Sequence, residues 1–124
     1  MSRIPSFKDL EVWRRAMQLV GRVYDLTRSY PPDERFGLIA ETRKSARSVP
    51  ANVAEGKTRS SEKEFRHFVS IASGSLGELL TQLLIAQQLG YLAKDTLAGT
   101  EQEIDEIGRM LRALARALEL AAKA

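Results

Sequence analysis

Apolar residues recur at spacings of three and four along nearly the whole chain, the period of one helix face. The first such segment runs from about residue 7 to 28. Leu10, Trp13, Met17, Val20 and Tyr24 make one stripe, and Val12, Ala16, Leu19, Val23 and Leu26 a second beside it. Together they cover roughly 200° of the helix, and Glu11, Arg14, Gln18, Arg22 and Asp25 fill the polar remainder. That is more apolar face than lining a small bundle requires. The surplus predicts a second contact, with a neighbouring subunit or a partner. Ser6 caps the start, with Asp9 three residues on, and Tyr30-Pro31-Pro32-Asp33 ends the segment.

A second helix is expected over about 33–55, with Ile39, Thr42, Ala46, Val49 and Val53 on one face. Pro50 falls inside it and removes a donor to the Ala46 carbonyl, which predicts a kink or, failing that, two shorter helices. Asn52 lies within reach of carbonyls freed by Pro50, Glu55 can pair with Arg59 or a base on another helix, and Gly56 suits the C′ position. Direct ligand binding is the alternative role for Asn52 and Glu55. A third helix, 61–89, opens on a Ser61–Glu64 capping box and closes at Gly90. Its apolar face runs from Phe65 to Ala86, and a second face carries Ser70, Ser73, Gly74, Gly77 and Thr81. Glycine costs up to ~1 kcal/mol inside a helix. Two of them beside serines predict close approach of another helix, the alternative being simple tolerance of small residues. The fourth helix, 95–122, has acids early (Glu101, Glu103, Asp105, Glu106) and bases late (Arg109, Arg112, Arg116, Lys123), the order its dipole favours.

No run alternates apolar and polar residues as a half-buried strand would. Four helices of similar length joined by short connections predict an all-α, antiparallel up-down-up-down four-helix bundle. The near-3.5 repeat favours left-handed crossings, and one domain spans 1–124.

Composition narrows the chemistry. The chain has 124 residues, no cysteine and one histidine, His67. Disulfides, zinc-thiolate sites, cysteine nucleophiles and any two-histidine metal site within one chain are therefore excluded. Glu64-Phe65-Arg66-His67 fits one Glu-x-x-His pair, but a di-iron set needs a second histidine. No phosphate loop or nucleophile elbow is present, and Glu101 to Glu106 is read as helix N-terminal charge, so no enzyme, metal or cofactor is expected. The start, Met-Ser-Arg-Ile-Pro, leads into no apolar run, and no stretch approaches the ~20 apolar residues of a membrane span. The expected location is cytoplasmic.

The net charge of +3 is uneven. Residues 1–62 hold 12 bases and 8 acids, residues 63–124 hold 7 and 8. The sharpest cluster is Arg43, Lys44, Arg47, Lys57, Arg59, Lys63 and Arg66, interrupted by Glu55, Glu62 and Glu64. Such a cluster attracts phosphate backbones, or is an ordinary solvated surface.

Three motifs bring a family into view. Phe7-Lys8-Asp9-Leu10-Glu11-Val12-Trp13 resembles the opening of proteins encoded in 23S rRNA intervening sequences. Ser48-Val49-Pro50-Ala51-Asn52-Val53-Ala54-Glu55-Gly56 and Ile71-Ala72-Ser73-Gly74-Ser75-Leu76-Gly77-Glu78-Leu79 resemble their central and third motifs. One departure is Glu41-Thr42-Arg43-Lys44-Ser45, where the family often reads Gln-x-Arg-Arg-Ala; Glu41 lowers the local positive charge. The resemblance implies an antiparallel bundle assembled as a homopentamer with a central channel. It also implies kinship with the accessory variability protein of diversity-generating retroelements, which binds nucleic acid and a reverse transcriptase. It implies no reaction.

Two functions follow as expectations. One is a nucleic-acid-binding homo-oligomer, RNA preferred by family association, contacting phosphates through the seven bases. Only Phe65, between Lys63 and Arg66, interleaves those bases in sequence, so little base stacking or sequence specificity is expected. The other is a protein–protein scaffold with no nucleic-acid role, suggested by the wide apolar face of the first helix. A hydrolase or nuclease lacks a carboxylate cluster of fixed geometry.

Overall fold

Four α-helices carry the chain: α1 Glu11–Thr27, α2 Leu38–Lys57, α3 Glu62–Gln88 and α4 Lys94–Lys123. A computed structural model describes residues 6–123. Among these, α1 packs on α2, α2 on α3, α3 on α4, and α4 back on α1, while the backbones of the diagonal pairs stay apart. Later positions on one helix meet earlier positions on its neighbour. Ser48 meets Ser75, whereas Gly56 lies against Phe65. Arg15 pairs with Glu106 but Arg22 with Glu103, and Arg66 with Glu119.

The core is the inner stripe of each helix. Leu19, Val23, Val49, Val53, Leu79, Leu83, Leu97, Ile107 and Leu111 are fully enclosed. Each such side chain contributes about 1.5–3 kcal/mol by leaving water. On α1 the buried stripe is the Val12–Val23 series; Trp13, Val20 and Leu26 are only half-covered and Met17 is exposed. The stripe from Leu10 to Tyr24 on α1 is therefore the surplus that the bundle only partly covers.

Helix boundaries differ from the expected ones where tertiary contacts intervene. Ser6 accepts from the Lys8 amide at 3.1 Å and caps a separate 3-10 turn, Phe7–Asp9, rather than α1. Leu10 is extended (φ −78°, ψ 125°), so α1 starts only at Glu11. The second helix begins at Leu38 instead of Asp33. Pro32–Glu34 forms a 3-10 turn, and the Glu34 carboxylate then folds over the helix start, Oε1 accepting from the Leu38 amide at 3.1 Å. The same helix runs on through Pro50, which is buried, to Lys57 as one element. Gly56 is not its C′ residue but an interior position.

Two ends match the sequence signals. Ser61 accepts from the Glu64 amide at 3.1 Å, capping α3. At its other end Gly90 takes φ +83°, the Gly90 amide bonds the Gln87 carbonyl at 3.0 Å, and the Tyr91 amide reaches the Ala86 carbonyl at 2.9 Å. This pair of bonds is a Schellman motif. By length and composition α3 is apolar enough to cross a membrane, contrary to the sequence expectation; its core face packs against α2 and α4.

One carboxylate ties two connections together. While Glu34 Oε1 caps α2, its Oε2 accepts from the Tyr91 hydroxyl at 3.0 Å. Glu34→Ala is expected to cost about 1–2 kcal/mol, for a lost cap and a lost charge-assisted bond. Glu34→Gln keeps a carbonyl oxygen and should retain about half. Urea denaturation of both variants measures this, and an unchanged midpoint for Glu34→Ala would show that the tie has no weight.

Candidate nucleic-acid interface

The seven bases separate into two groups. Arg43, Lys44 and Arg47 lie on the first half of α2, and Lys57, Arg59, Lys63 and Arg66 surround the turn into α3. Arg43 and Lys57 are about 21 Å apart along the helix at 1.5 Å per residue.

In the first group the arginines lean on α1. Arg43 Nε donates to Thr27 Oγ1 at 2.8 Å, and its guanidinium lies 4.4 Å from the Tyr24 ring centroid. Buried Thr27 in turn donates to the Val23 carbonyl at 2.9 Å. Arg47 Nη1 donates to the Tyr24 hydroxyl at 2.8 Å. Lys44 faces the other way, into a polar groove of about 380 Å³ between α2 and α3. Glu41 and Glu78 border the same groove, so Lys44 does not stand in a positive surface.

In the second group Lys57 sits 6.0 Å from the Phe65 ring and Arg59 4.8 Å from the Phe68 ring. Arg59 also pairs with Glu55 at 2.7 Å, and Arg66 with Glu119 at 3.5 Å. All four of these charged groups are well exposed, so each pair contributes under about 1 kcal/mol and yields readily to a phosphate. Lys57 and Lys63 have no carboxylate within 4 Å among the described residues. Aromatic rings thus do accompany the bases in space, supplied by α1 and α3, and one of them, Phe65, also lies between Lys63 and Arg66 in sequence. A guanidinium already stacked on a ring is a flat platform for a base as well as a phosphate donor.

The central motif makes contacts within the chain. Asn52 Nδ2 donates to the Ser48 carbonyl at 2.8 Å and to Ser48 Oγ at 2.9 Å, not to the Ala46 carbonyl that Pro50 frees. Ser48 Oγ and Ser75 Oγ lie 2.8 Å apart, which joins the central and third motifs across α2 and α3. A Cβ on Gly56 would stand 2.7 Å from Phe65 Cδ1 and 2.9 Å from Phe68 Cβ, so this glycine marks where α3 crosses closest. The serines Ser48 and Ser75 and the ring of Tyr24 were not singled out from sequence; each gains its role from a residue at least 19 positions away.

The small-residue face behaves differently from expectation. Nothing lies within 4 Å of a Cβ built on Gly74 or Gly77, and Ser70 is exposed. No helix of this chain packs closely there. Ser73 and Gly77 border an open groove of about 370 Å³ between α3 and α4. His67 is exposed with its ring edge-on to Phe68, and no group of three metal-ligating side chains occurs among the described residues. A further, apolar groove of about 300 Å³ runs between α1 and α2, lined by Trp13, Met17, Val20, Arg47, Pro50, Ala51 and Ala54.

The motif residues and the fold they build agree with one family, and residues 8–113 match the model of the 23S rRNA-intervening sequence proteins. The chain belongs to the 23S rRNA-intervening sequence protein family. No curated protein matches it. Within the family match lie all three motifs save Phe7, both basic groups and all four helices apart from the end of α4.

Proposed function

We propose that this member of the 23S rRNA-intervening sequence family is a non-enzymatic homo-oligomer that binds RNA through its phosphates. The observation that carries this reading is the cationic turn between α2 and α3. There Lys57 and Lys63 lack acidic partners among the described residues, and Arg59 and Arg66 are held by weak surface pairs. Arg43 leans on α1, and Lys44 faces the other way beside Glu41, so both contribute less. One chain carries only +3. Assembly multiplies that charge, to +15 in the pentamer that the resemblance implies, so contacts too weak singly act together. Phosphate contacts position without reading sequence, so specificity is low.

RNA affinity should fall about a hundredfold between roughly 50 and 200 mM salt if about four phosphates are neutralised. Lys57→Glu with Lys63→Glu should remove most binding and flatten the salt dependence, read by fluorescence anisotropy on a labelled single strand. Binding that survives the double reversal rejects this surface. The apolar α1–α2 groove favours a second reading, a scaffold for another protein. A partner captured equally well after nuclease treatment, with no RNA affinity in the purified chain, supports it.

A further inference from the structure

Two surfaces of the chain are incomplete, and they complement each other. The first is the outer face of α3. From Phe68 to Ala93 the chain contains a single charged residue, Glu78. Glu78 is exposed and has no ion-pair partner among the described residues, although Lys44 borders the same groove. Ile71 and Ile85 are 39% and 42% exposed on the same helix, and the bare backbone at Gly74 is open to close approach. The second surface is the α1–α2 groove. Its floor is apolar, with Met17 46% exposed beside Trp13 and Pro50, and its single charged lining residue is Arg47. Arg47 donates one N–H to the Tyr24 hydroxyl and fronts no carboxylate within 4 Å among the described residues.

We infer that the α3 ridge of one copy docks in the α1–α2 groove of the next, with Glu78 paired to Arg47 across the joint. The occupant of the groove is thus a second copy of this chain, in an arrangement that presupposes the self-assembly proposed above. Charge complementarity selects it. An acid alone on an otherwise uncharged ridge meets a base alone in an otherwise apolar groove, and the pair fixes the axial register. The small residues at the centre of the ridge let two helix backbones come close. Because the two surfaces differ, the contact is head-to-tail, and repeating it gives a ring where the rotation closes.

Light scattering at graded concentrations tests this on the full chain. Glu78→Arg and Arg47→Glu should each raise the concentration needed for assembly at least tenfold, leaving the 13.8 kDa single chain in dilute solution. Exchanging both charges should restore the assembly. Gly74→Leu should block it by bulk while the thermal midpoint of the dilute chain holds or rises, since open space surrounds that position. Assembly unaffected by Glu78→Arg and Gly74→Leu, or not restored by the exchange, overturns the joint while leaving self-assembly intact. A wild-type chain that stays single at every concentration overturns both.

Discussion

Gly56→Val is expected to lower the unfolding free energy by about 3 kcal/mol. A Cβ at this position stands 2.7 Å from Phe65 Cδ1, 2.9 Å from Phe68 Cβ and 3.1 Å from the Phe65 carbonyl oxygen. The last two atoms are fixed close to or in the α3 backbone, so no rotamer change relieves them. Either α2 and α3 move apart or the start of α3 shifts, and both disturb the enclosed Val53 and Val69 nearby in the core. Gly56→Ala makes the sharper comparison. Helix propensity alone predicts a gain of up to ~1 kcal/mol, while the contact predicts a loss of about 1–3 kcal/mol. Gly21→Ala serves as the control, since nothing lies within 4 Å of its Cβ and propensity acts there unopposed. Urea denaturation followed by circular dichroism reads all three. A gain at Gly56 equal to that at Gly21 would falsify the close crossing.

The same glycine shows what was legible in the sequence. Its place near the end of an apolar run suited a C′ residue, and Gly90 in the same sequence context is one, with φ +83°. Nothing local separates the two; the difference is the pair of phenylalanines that α3 brings against Gly56. The four helices were readable because their core faces are written in Leu, Val, Ile and Ala at helical spacing, and burial follows that spacing closely. The Ser61 cap was readable because its partner is three residues away. The start of α2 was not, because the Glu34 side chain, held by Tyr91 from the far connection, decides it. The basic cluster illustrates the same boundary. Its members were visible as residues, but the side chains they lie against, Tyr24, Thr27, Phe65 and Phe68, come from α1 and α3. Likewise the small face of α3 was visible, and only the open space around Gly74 shows that no helix of this chain packs closely there.

Raising the pH through the range from about 10 to 12 should cost the fold about 2–3 kcal/mol through one residue, Tyr30. Tyr30 is 4% exposed, its ring packs 5.6 Å from that of Tyr91, and its hydroxyl has no hydrogen-bond partner among the described residues. Burial disfavours the phenolate and pushes the phenol up from 10.0 to about 12. The native state therefore holds this proton after the unfolded chain has released it. Stability is full below pH 10, falls as the unfolded tyrosine ionises, and is lost as pH passes the folded value. Tyr30→Phe removes both the titration and an unpaired buried hydroxyl. At neutral pH it should be neutral or stabilising by up to ~1 kcal/mol, and in alkali it should hold a higher urea midpoint than the parent. Tyr91→Phe separates this effect from its neighbour's. The Tyr91 phenol is also raised, by its bond to Glu34, but that tie lies near the surface and its loss should be felt at neutral pH already. If Tyr30→Phe loses stability between pH 10 and 12 in parallel with the parent, the alkaline transition belongs to other groups and the enclosed phenol plays no part in it.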